Sequence, residues 1–94
     1  MRYRYTYGTV RETPRTAIYV VRVDEAELGS EEAEDIAEQM RKKIMARGEI
    51  ATDIVVVEGH DKDTLRLHGA PYAVNRVRAA MFNAAIKWKT IDLD

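Results

Sequence analysis

Residues 15–23 read RTAIYVVRV, and this stretch decides the fold. Side chains alternate along a strand, so Ile18 and Val20 point one way and Tyr19, Val21 and Val23 the other. Both faces are apolar, which is the pattern of a strand in the middle of a sheet. The preceding Arg11-Glu12-Thr13-Pro14 predicts a turn with Pro14 as the breaker.

Upstream of that turn, Arg2 to Val10 predicts a first strand. Its alternation puts Tyr3, Tyr5 and Tyr7 on one face and Arg2 and Arg4 on the other. Downstream, Gly29-Ser30-Glu31-Glu32-Ala33 marks a helix start with Ser30 as N-cap. Ala33, Ile36, Ala37, Met40 and Ile44 form one apolar stripe, and Gly48 is the stop. Ala51 to Glu58 predicts a third strand, and Gly59 to Asp63 a polar loop. Thr64 to His68 completes a hairpin, with Leu65 and Leu67 inward and Thr64, Arg66 and His68 outward. Pro71 suits the first turn of a second helix, expected to run to about Lys89. Its buried face is Val74, Val77, Met81, Ala85 and Trp88; Arg76, Asn83 and Lys87 lie opposite. Thr90 to Asp94 can add a short last strand.

The order β-β-α-β-β-α(-β) predicts one α+β domain over residues 1–94, a two-layer sandwich with both helices on one sheet face. Without its first strand the order is β-α-β-β-α-β, the ferredoxin-like pattern. On that arrangement the second sheet face needs a cover. Tyr19, Val21, Val23, Val55 and Val57 are then the expected interface of a homodimer.

The apolar fraction of 46% suits a globular chain, and the net charge is −1. The charge is unevenly spread. From Met1 to Arg22 there are five arginines and one acid, Glu12. Asp24 to Glu38 holds eight acids and no base; Thr64 to Ile91 holds five bases and no acid. The acidic run fits a helix start, where carboxylates complement the macrodipole. The basic ends have no such local explanation. Tyrosine can stack on bases and arginine can pair with phosphate, so nucleic acid is the expected ligand. The expected contacts are Arg2, Tyr3, Arg4, Tyr5, Tyr7 and Arg15, widened by Arg76 and Lys87. The competing reading packs the tyrosines into the sheet and leaves the arginines to guard an edge.

Catalytic signals are sparse. The chain has no cysteine, which removes disulfides and thiolate chemistry and fits a cytoplasmic setting. No apolar run approaches the roughly 18 residues of a membrane span, and no secretory leader is visible. His60-Asp61-Lys62-Asp63 resembles a ligand cluster but reads better as a solvated loop, so no metal or cofactor is expected. Ser30, the only serine, is explained as a cap, and the glycines stand singly rather than in a phosphate-cradling loop. A small enzyme at the hairpin loop is the third reading, behind two non-enzymatic ones.

The run from Val77 to Trp88, VRAAMFNAAIKW, resembles the C-terminal helix of the small dimerising subunit of the KEOPS complex. Asn83 to Trp88 matches best, after a one-residue shift. That family takes part in tRNA modification within a larger assembly. The resemblance implies a strand, helix, hairpin and second helix over Val20 to Trp88, dimerisation without catalysis, and a larger protein complex as partner. The strand from Arg2 to Val10 departs from the family pattern. The leading expectation is therefore a self-associating, non-enzymatic module that binds nucleic acid. A protein-interaction or assembly subunit is the alternative.

Overall fold

In the computed structural model, residues 5–23, 28–59, 65–83 and 86–91 are described. The doubly apolar stretch becomes β2 (Ala17–Val23), the middle strand of five. β1 (Tyr5–Arg11) pairs antiparallel on one side of it, and β3 (Ala51–Glu58) pairs parallel on the other. Two edge strands of three residues complete the sheet: β4 (Arg66–His68) beside β3 and β5 (Lys89–Ile91) beside β1. The strand order is β4-β3-β2-β1-β5. This is an α+β chain with a mixed five-stranded sheet and two helices. A ferredoxin-like order is not confirmed, because β2 and β3 are immediate parallel neighbours.

The β1–β2 turn rests on Thr13 as much as on Pro14. The Thr13 hydroxyl accepts the backbone N–H groups of Arg15 and Thr16, at 3.3 and 3.1 Å. Glu12 N–H donates to the Thr16 carbonyl at 3.0 Å. A register shift follows between Ala17 and Ile18. There the Thr52 hydroxyl lies 3.2 Å from the Ala17 carbonyl and also contacts the Glu12 carboxylate.

The parallel β2–β3 pair needs a crossover, and α1 (Ser30–Ala46) supplies it. Its buried stripe is Ala33, Ile36, Met40 and Ile44. The N-cap is Gly29 rather than Ser30, which occupies the first helical place. The first helical bond runs from Ala33 N–H to the Gly29 carbonyl, 3.1 Å, with no side-chain cap.

The expectation that both helices share one face is overturned. α1 packs on Tyr5, Ala17, Tyr19, Val21, Val23, Ile54 and Val56. α2 (Pro71–Phe82) packs on Ile18, Val20, Val55 and Val57, the alternate residues of the same two strands. Successive strand residues face opposite ways, so each helix covers its own side of the sheet. The cause is in the composition of β2 and β3. Each buried Val or Ile contributes roughly 1.5–3 kcal/mol, so both faces demand a cover and the chain provides one for each.

α2 also stops earlier than its periodicity predicts, at Phe82 with Asn83 as C-cap. Residues 86–88 lie outside the helix; Ile86 and Trp88 pack into the α2-side core. A Cβ on Gly8 would collide with Ile86 Cγ2 and sit 3.1 Å from the Lys87 carbonyl oxygen. The bare backbone of β1 thus admits this segment and lets the chain enter β5. Asn83 and residues 86–88, expected from the sequence to continue the second helix, therefore lie beyond it. Ala85 and residues 92–94 lie outside the described residues.

Candidate functional site

Tyr5 and Tyr7 of β1 belong to the α1 side of the sheet, and alternation places Thr9 and Arg11 there too. Tyr5 is buried under α1, whereas Tyr7 and Thr9 are half-buried and Arg11 is exposed. In register, Tyr7 stands between Val21 of β2 and Lys89 of β5, which is also exposed.

The end of α1 brings further groups to this flank. Gly48 has φ +74°, the left-handed conformation that glycine adopts freely. Its N–H donates to the Met45 carbonyl at 3.0 Å, and Glu49 N–H to the Ile44 carbonyl at 3.1 Å. These two bonds form a Schellman motif that reverses the chain. The reversal turns Arg47 and Glu49 onto the tyrosines. The Arg47 guanidinium lies 6.0 Å from the centre of the Tyr7 ring, and its Nη1 donates to the Tyr7 hydroxyl at 3.3 Å. This is a cation–π contact at the outer limit of distance.

The Tyr19 hydroxyl donates to the Glu49 carboxylate. Burial pushes the Tyr19 phenol up to about 12, helped by the hydrogen bond to Glu49 and by that carboxylate's charge, against the pull of Arg11. A phenol held neutral in this way is not a base or nucleophile near neutral pH. The cluster therefore offers three exposed cations, Arg11, Arg47 and Lys89, a partly open aromatic ring, and one carboxylate. That set can stack a planar ring and neutralise phosphates.

The other predicted contacts scatter. Arg2, Tyr3 and Arg4 lie outside the described residues, as do His60 and Asp61. Arg15 is exposed in the β1–β2 turn, Arg76 on α2, and Lys87 in the segment between Ile86 and Trp88. Arg11 and Arg22 do not share one patch: Arg11 is on the α1 side and Arg22 on the α2 side. The predicted dimer interface is also corrected. Tyr19, Val21 and Val23 are buried beneath α1, and Val55 and Val57 beneath α2, so the five share no open face. Arg47, Glu49 and Lys89 are the residues that sequence reasoning missed.

A second polar constellation is structural in its geometry. Glu58 is 3% exposed at the end of β3. Its Oε2 accepts the Leu28 N–H just before α1. Its Oε1 faces His68 Nε2 at 3.5 Å and Arg66 Nη1 at 3.7 Å. Both oxygens are engaged in tying β4 and the approach to α1 onto β3. Among the described residues no group of three or more His, Cys, Asp or Glu is placed to hold a metal. No helix among them is long and apolar enough to cross a membrane. No family model, no curated protein and no solved structure matches this chain.

Proposed function

We propose that this chain is a small binding module for single-stranded nucleic acid, engaged on the sheet flank beside α1. The observation that supports this reading is the grouping of Tyr7 with Arg47, Lys89 and Arg11 where α1 leaves β1 partly open. The ring offers a stacking platform and the three cations track a phosphate backbone. The net charge of −1 makes this a local attraction rather than a property of the whole surface.

The test is fluorescence anisotropy with labelled RNA and DNA single strands of about a dozen nucleotides. With three cations engaged, log K should fall against log salt with a slope of about −2. Tyr7→Ala should weaken binding by about 1–3 kcal/mol, the usual value of one base–aromatic stack. Absence of binding at low salt, or binding unchanged in a Tyr7→Ala, Arg47→Ala double variant, rejects the proposal.

A further inference from the structure

The opposite side of the sheet carries a polar row that neither the core nor the tyrosine cluster uses. In register across the strands stand Thr90, Thr6, Arg22, Val57 and Leu67. Val57 and Leu67 belong to the α2-side core, and Arg22 follows Val20 of that core by one strand period, so the row faces that side. Arg22 is half-buried, and its Nε is a buried donor with no acceptor. None of the ion pairs among the described residues includes it. A buried donor left unpaired costs about 1–3 kcal/mol, and more when charged, so such a group calls for an acceptor. Beside it, Thr6 is half-buried and Thr90 exposed; neither hydroxyl bonds to a described residue.

We propose that Arg22, Thr6 and Thr90 form a subsite for a phosphoryl oxyanion. On binding, the guanidinium turns to bring out its Nε–H and takes two phosphoryl oxygens as a fork, and the threonine hydroxyls donate to the others. The adjoining row, Gly8 and Val20, lies beneath Ile86 and Trp88. Trp88, the chain's single tryptophan, precedes Thr90 by one strand period and so reports on the subsite. The subsite stands independently of the α1-side surface.

The experiment titrates the protein at constant ionic strength with inorganic phosphate, adenosine 5′-monophosphate, and an oligonucleotide lacking terminal phosphates. Trp88 emission and the Arg22 Nε–H nuclear magnetic resonance are followed. Saturable shifts are expected with phosphate and the monophosphate, with a Kd on the order of 1 mM. The same Arg22 shift with the oligonucleotide identifies backbone phosphodiester as the source; its absence identifies a terminal or free phosphate. Arg22→Lys keeps the charge but loses the fork and should weaken binding at least about tenfold. Thr6→Val, which keeps the β-branched strand residue, should weaken it several-fold with the free-state Trp88 spectrum unchanged. Linear, unsaturable shifts, or equal affinity in Arg22→Lys and Thr6→Val, overturn the proposal. The Arg22 Nε–H resonance reads the α2 side of the sheet, and the anisotropy loss in Tyr7→Ala reads the α1 side, which separates failure of this subsite from failure of the nucleic-acid surface.

Discussion

Tyr19 shows how one residue serves both packing and charge. Its ring fills the space under α1 while its hydroxyl reaches Glu49. Folding raises the phenol from 10.0 to about 12, because burial and the Glu49 carboxylate both disfavour the phenolate. The folded protein therefore holds this proton where the unfolded chain releases it. The resulting stability is fully present below pH 10 and is lost as the pH rises towards about 12. Ultraviolet titration should show one tyrosine ionising near the top of that window, absent in Tyr19→Phe. Glu49→Gln should bring that ionisation to lower pH. A Tyr19 that titrates with the exposed tyrosines refutes the assignment. Tyr7 was legible in the sequence because alternation alone placed it beside Tyr5. Arg47 and Glu49 were not, because they lie 40 and 30 residues from their tyrosine partners and arrive through the reversal at Gly48.

At the scale of elements, local patterns named the strands and helices well where burial and periodicity agree. The third strand runs over Ala51–Glu58 as predicted, and α1 keeps its predicted stripe. The second helix was overextended because Trp88 and Ala85 continue its spacing, while the reason for stopping is tertiary. Ile86 and Trp88 are required against Gly8, and β5 must pair with β1. Gly8→Ala tests this dependence. The added methyl meets Ile86 and the Lys87 backbone, so the variant should lose about 1–3 kcal/mol of stability, as overpacked sites do. Its Trp88 emission should move to the red as residues 86–88 lift from the sheet. Unchanged stability and emission would show that the segment does not depend on the missing side chain. Face assignment was illegible for a different reason. A period of two separates the sides of a strand but does not say which helix lies on which.

For the whole molecule, the covered second face removes the argument for a partner. The homodimer followed from an apolar side left bare by two helices on the other, and α2 fills that side. Among the described residues, four large apolar side chains remain exposed: Met45 on α1, Ile50 beyond its end, and Tyr72 and Phe82 at the two ends of α2. Isolated apolar residues of this kind are ordinary on a monomer. Light scattering at two concentrations should give the mass of a single chain, 10.8 kDa. Twice that mass, unchanged on dilution, contradicts this expectation and makes one of those four residues the place to look for the contact.

The pairing of β1 with β5 sets Tyr5 opposite Ile91. The described polypeptide is thus fastened like a necklace, β1 and β5 meeting at a clasp of three rungs. A peptide bridge from Ile91 to Tyr5 has one corner to cross, a strand period away from Tyr7 and Lys89. Closed across that corner, the polypeptide would permit new ends to be cut elsewhere.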